Sequence, residues 1–120
     1  MALYVDAIVL PVQKKRLAAY RRLSRAAGKV WRELGVLDYR ECIADDVTVG
    51  KRTSFPRSVK LKAGETVVIG WMTYTSRAHR DRVAALAMKD PRLEKLYHQK
   101  PSPFDGKRMF FGGFKTLVEV

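Results

Sequence analysis

Six residues have the types and the settings to do chemistry at a pocket. Asp6 stands inside the apolar run from Tyr4 to Val12, where an ionised carboxylate is costly unless something compensates it. Glu41 lies two residues past Tyr39 in an alternating stretch, so the two side chains share one face. Lining a cavity, Asp6 and Glu41 would be acids or bases with raised pKa values. Paired or exposed, Asp6 is a salt-bridge residue and Glu41 an edge-strand surface residue. Arg108, at the entry to the last strand, is the expected partner of Asp6, because the first and last strands are neighbours in the fold that the element order implies. Trp71, Tyr39 and Tyr74 offer aromatic walls and hydroxyl donors of the kind small-ligand pockets use, although strand aromatics serve equally in a core or a dimer interface. His79 shares a helical arc with Val83 and Leu86, which aims its imidazole at the sheet, either as a base or as a satisfied half-buried ring. The candidate ligand pocket is therefore Asp6, Tyr39, Glu41, Trp71, His79 and Arg108, with no catalytic role assigned among them.

Other chemistries find no support. His98 has no ligand companion at usable spacing and Cys42 is the single cysteine, so neither a metal nor another cofactor is expected. No histidine stands locally to activate Cys42, which is read as a packed thiol in a reducing compartment. Gly112-Gly113 follows no strand-to-helix turn, which excludes a phosphate loop of the nucleotide-binding kind.

A second constellation is electrostatic. At 100° per residue, Leu17, Tyr20, Leu23, Ala27, Val30 and Leu34 fill one arc of a helix. Arg21, Arg22, Arg25, Lys29 and Arg32 fill the opposite arc, led by Lys14 and Lys15, with no acid before Glu33. Like charges at i, i+4 cost a few tenths of a kcal/mol each. This ridge is either a nonspecific phosphate-binding surface for nucleic acid or another polyanion, or a solvated outer face. It is expected on the outside of the fold, away from any cavity.

The elements that must position these residues emerge from periodicity. Tyr4–Val12 is a strand, Lys14–Leu34 a helix stopped by Gly35, and Val36–Ala44 a more polar edge strand. Residues 45–64 form a long loop or extended arm, unusual enough at this length to suggest function or mobility. Thr66–Thr75 is a strong strand, and Ser76 caps a helix over Arg77–Lys89 that Asp90-Pro91 ends. Leu93, Leu96 and Tyr97 mark a short helical turn, and Met109–Val120 is a last strand whose paired glycines imply a bulge or a close backbone approach. The order βαββαβ predicts an α+β, ferredoxin-like antiparallel sheet with two helices on one face. Because the strands carry apolar residues at both parities, something must cover the other face, and a second subunit is the simplest cover.

The chain has 120 residues, which bounds it to one domain spanning 1–120, and 47% of them are apolar, so it folds. Lys and Arg number 24 against 12 Asp and Glu, a net charge of +12 that raises the polyanion question without deciding it. Asp6 interrupts the only early apolar stretch and no apolar run approaches bilayer length, so a cytoplasmic protein without membrane insertion is expected.

The stretch Pro103-Phe104-Asp105-Gly106-Lys107-Arg108-Met109, followed by Gly112-Gly113-Phe114, resembles the YbaA-like family of bacterial proteins. Tyr4-Val5-Asp6, Glu41-Cys42, Asp45-Asp46, Ser76 and Asp90-Pro91-Arg92 extend the resemblance over nearly the whole chain. The resemblance implies a ferredoxin-like protomer whose sheet packs on a second sheet as a homodimeric α/β barrel, with no established reaction. The functional expectation is a homodimer of uncharacterised role that binds a small organic ligand near the sheet, the alternative being polyanion binding by the basic helix.

Overall fold

The structure, a computed structural model, describes residues 2–120. Two long strands, β1 (Tyr4–Gln13) and β3 (Glu65–Tyr74), pair antiparallel along their whole length and form the centre of the sheet. The six-residue strands β2 (Asp38–Ile43) and β4 (Phe110–Lys115) flank them in the order β2-β3-β1-β4, all antiparallel. This is the expected ferredoxin-like sheet, with the polar β2 at an edge.

Helix α1 (Leu17–Leu34) comes after a 3-10 turn at Lys14–Arg16 and stops where expected: Gly35 adopts φ 128°, and its N–H donates to the Trp31 and Arg32 carbonyls. Within residues 44–64 a single short helix, α2 (Phe55–Ser58), stands in an arm that is otherwise loop with bends and turns. Helix α3 (Arg77–Met88) begins at Ser76, whose Oγ accepts the His79 N–H at 3.0 Å. Asp90-Pro91 ends α3 and also starts a seven-residue helix, α4 (Pro91–Tyr97), longer than the turn the sequence suggested. The reason is local: Asp90 accepts the Arg92 N–H at 2.9 Å, Pro91 fits the first helical turn, and Leu93 buries against α1 and α3.

One face of the sheet carries the helices. Tyr4, Leu10 and Val12 of β1 and Val68 and Tyr74 of β3 pack there with Tyr20 of α1, with Val36 just beyond that helix, and with Val83 of α3. A third cluster, Ala27, Val30, Ala87 and Leu93, joins α1, α3 and α4. The other face holds Val5, Ala7 and Val9, then Val67, Ile69 and Trp71, then Phe110 and Phe114. Part of it is covered by the 44–64 arm, which leaves a cleft of about 120 Å³ between Val47 and Phe55 and the strand residues Cys42, Val67 and Ile69. Beyond the arm the apolar band is open, and Phe110 and Phe114 are exposed.

The last strand is shorter than the sequence suggested. β4 ends at Lys115, opposite Tyr4, because β1 begins there and offers no further partner; the Thr116 hydroxyl donates to the Leu3 carbonyl as the chain leaves. Its glycines make no bulge, since Gly112 and Gly113 pair in register with Ala7 and Asp6. Gly113 is instead a close approach: a Cβ there would lie 2.6 Å from Arg80 Nη2 and nearer still to the Tyr4 hydroxyl. No helix among the described residues is long and apolar enough to cross a membrane.

Candidate functional site

Tyr20, Ser24 and Gly28 stand one turn apart on α1 and face β2. Gly28 lets the two elements meet, because a Cβ at that position would sit 2.7 Å from the ring of Tyr39. Tyr39 therefore tucks under the helix, and Glu41, on the same face of β2, comes within reach of three hydroxyls. Tyr20 donates to Glu41 Oε2, Ser24 to Oε1, and Tyr39 to Oε1 at 3.0 Å. The Ser24 and Tyr39 hydroxyls are themselves 3.1 Å apart. Burial and the adjacent Glu41 carboxylate push both phenols well above the ordinary tyrosine value, so each keeps its proton and donates.

This cluster is the floor of an open groove of about 870 Å³ between α1 and β2. Arg21, Arg25, Lys29 and Arg32 form the helix wall, Arg40 and Cys42 the outer lip, and Leu17, Ile43 and Val68 an apolar end. None of these five cations makes an ion pair among the described residues. Their placement corrects the expectation that the basic face lies away from any cavity. The sheet stops at β2, so the flank of α1 overhangs the edge and its cations close one side of a groove. Arg22 points outward and does not line it.

The six pocket candidates fall in separate places. Tyr39 and Glu41 share the groove. Asp6 lies on the helix face near the other edge, with Oδ1 3.8 Å from Arg80 Nη1, and Arg80 also donates to the Tyr4 hydroxyl at 2.9 Å. The expected Asp6–Arg108 pair does not form. Phe110 pairs with Val9, so Arg108 enters beside Pro11, five residues or about 17 Å from Asp6 along the strand. Arg108 instead grips Glu65 through both terminal nitrogens, at 2.6 and 2.8 Å, and Asp105 through Nε at 2.9 Å. Trp71 is on the face opposite Asp6, where its indole N–H donates to Asp38 Oδ2 at 3.3 Å. His79 accepts the Thr75 N–H at Nδ1 and sets its ring edge-on to Tyr74, with ring centroids 5.7 Å apart. Cys42, read as packed, is exposed, because it stands on an edge strand where the arm leaves an open cleft instead of packing down on it.

Tyr20, Ser24 and Gly28 were hidden among the core positions of α1. Their i, i+4 spacing was the available signal, since small or polar groups repeated at that interval interrupt an apolar arc and mark a polar neighbour. No group of three or more His, Cys, Asp or Glu among the described residues could hold a metal ion.

The model of a family described as "Protein of unknown function (DUF1428)" matches residues 3–106. The uncharacterized protein YbaA of Escherichia coli strain K12 is 39% identical over 116 residues, 97% of each chain. Among solved structures, a dimeric ferredoxin-like protein from an uncultured marine organism aligns over 100% of both chains with a TM-score of 0.57 and 12% identity. A NIPSNAP family protein with unknown function from Agrobacterium tumefaciens strain C58 aligns over 95% of this chain and 87% of its own, with a TM-score of 0.58 and 11% identity. At these identities the structures bear on the fold alone.

Proposed function

For a chain that belongs to the DUF1428 family of proteins of unknown function, we propose a cytoplasmic homodimer in which each protomer binds a small organic anion in the groove between α1 and β2. The observation that carries the reading is that Arg21, Arg25, Lys29 and Arg32, which make no ion pair among the described residues, stand along one wall of a groove floored by two phenols. Unpaired guanidinium and ammonium groups beside aromatic rings are what an anionic organic molecule needs. A thiol left exposed at Cys42 agrees with a reducing compartment.

In 15N-labelled protein, 4-hydroxybenzoate is expected to shift the amides of α1 and β2 selectively. The double variant Arg25→Gln/Lys29→Gln should weaken that binding about tenfold, the loss of one charge-assisted contact. Shifts scattered over the surface, or affinity untouched by the double variant, would remove the groove from consideration. Duplex DNA bound with a steep salt slope, flattened by about 0.9 per neutralised cation, would replace the small anion with a polyanion.

Dimerisation is supported by the apolar band on β1, β3 and β4, where Val5, Ala7, Val9 and Trp71 are only partly buried and Phe110 and Phe114 are exposed, a contiguous patch of the kind that marks an interface. Phe114, paired with Val5, is exposed on that face. Light scattering at micromolar concentration should give the mass of two chains for the wild type and of one for Phe114→Lys. A wild-type mass of one chain would sink the dimer.

A further inference from the structure

Glu41 is satisfied in an unusual way. Its carboxylate accepts from three hydroxyls and, among the described residues, from no cation and no backbone N–H. A carboxylate offers about four lone-pair positions, and each hydroxyl that donates to it still has lone pairs of its own. The floor of the groove therefore carries three protons for a larger number of acceptor positions. It is a patch of surplus acceptors, and Glu41 is only partly buried, so that surplus opens toward the groove.

The wall has the reverse character over most of its length, since Arg21, Arg25, Lys29 and Arg32 only donate, and Glu33 at its end is taken up by Arg92. Ser24 lies between Arg21 and Arg25 in the helix, so donors and surplus acceptors sit within one turn, about 5.4 Å of helix axis. A simple carboxylate suits the wall but meets like charge at Glu41. A molecule that also carries an O–H or N–H donor suits both.

We infer that the groove selects organic anions that bear a second, hydrogen-bond-donating group, hydroxy acids or amino acids, and that Glu41 is the residue that reads the donor. This rests on the proposed anion-binding role of the groove and adds the class of ligand. The apolar end at Leu17, Ile43 and Val68 accommodates the hydrocarbon body between the two polar ends.

The test is a comparison of matched probes on the intact protein: 4-hydroxybenzoate, 4-aminobenzoate and 4-methoxybenzoate, the last keeping the oxygen but losing the donor. At about 10 mM probe a site of millimolar affinity is filled, so amide shifts can rank them. On the wild type, both donor-bearing probes should bind about tenfold more tightly than 4-methoxybenzoate, the worth of one hydrogen bond to a charged acceptor. Glu41→Gln should bring the ratio to within about twofold, while Tyr39→Phe, which removes a competing hydroxyl, should keep or widen it. Equal wild-type binding of all three probes, still dependent on Arg25 and Lys29, overturns donor selection and leaves the anion groove standing. A preference that survives Glu41→Gln but vanishes in Tyr39→Phe overturns Glu41 as the reader. No shift at α1 or β2 with any probe overturns both the selection and the groove. The wild-type comparison needs no variant to fold.

Discussion

Replacing Arg108 with methionine is expected to cost about 3 kcal/mol, the lower end of the range for removing one member of a buried ion pair. The Arg108 and Glu65 side chains are 14% and 6% exposed, so the loss of the fork leaves a carboxylate with little water. Glu65 would keep the Lys62 N–H at 2.7 Å and nothing else. The same guanidinium donates to the Val59 and Lys60 carbonyls at 3.3 and 3.1 Å, so the arm loses its tie to the entry of β4. Hydrogen exchange should accelerate across 44–64 before it does in β1 or β3. Arg108→Lys keeps the charge without the fork and should fall between the two.

The pH profile gives an independent readout. The bonds from Arg108 hold the Glu65 and Asp105 carboxyls below their ordinary values in the folded protein. A depressed folded pKa stabilises above the unfolded value, near 4 for carboxylates, and that contribution disappears as pH falls through the folded value. Wild-type urea midpoints should therefore decline below about pH 4, whereas Arg108→Met should be flatter there. A variant within about 0.5 kcal/mol of wild type, with the same acid limb, would mean that Arg108 is not the clasp.

The second large effect is Gly113→Val. Valine suits a strand better than glycine by up to about 1 kcal/mol, so propensity alone makes this substitution stabilising. Packing opposes it, because a Cβ at Gly113 meets Arg80 Nη2 at 2.6 Å and Tyr4 Cε1 at 2.9 Å. Either β4 lifts or Arg80 leaves Asp6, and overpacking of this kind costs about 1–3 kcal/mol, enough to reverse the sign. Gly112 is the control within a single protomer: its nearest neighbour to a built Cβ is Phe114 Cε1 at 3.7 Å, ordinary contact, so Gly112→Val should be neutral or mildly stabilising when compared below the concentration at which the proposed dimer forms, since Gly112 pairs with Ala7 on that face. Chemical denaturation of the pair decides it, and equal effects at the two glycines would refute the close approach.

Much of the scaffold could be read from the chain because local signals agreed. The apolar arc of α1, the stop at Gly35, the cap at Ser76 and the alternation on β2 each carry their own physical cause, and the structure repeats them. What failed depended on register. Neighbouring strands were right for Asp6 and Arg108, but antiparallel pairing puts them at different heights, and the true partner, Arg80, arrives from α3. The groove was half visible, as Tyr39 and Glu41 on one face and the cations on another. Nothing local to either segment states that α1 overhangs the sheet edge, and only the pairing of Glu41 with Ser24 and Tyr20 joins them.

The Pro-Phe-Asp-Gly-Lys-Arg-Met stretch gains a physical reading as well. Asp105 and Arg108 form the clasp on Glu65, and Phe104 sets its ring edge-on to Tyr20 at 5.9 Å, so the same loop braces the groove floor from behind.

The central pairing of the sheet also dictates the order in which the protein can assemble. β1 is made well before its partner β3: Gln13 waits for Glu65 and Tyr4 for Tyr74, separations of 52 to 70 residues. Closing such loops is slow, and an unpaired run of Val, Ile and Leu is adhesive while it waits. Through that interval the element emerging directly behind it is α1, with five positive side chains on its outer arc and no acid before Glu33. The segment next to β1 is therefore strongly positive while β1 is still unpaired. The helix that walls the groove in the folded protein is thus also the charged neighbour of an unpaired apolar strand until β3 is made.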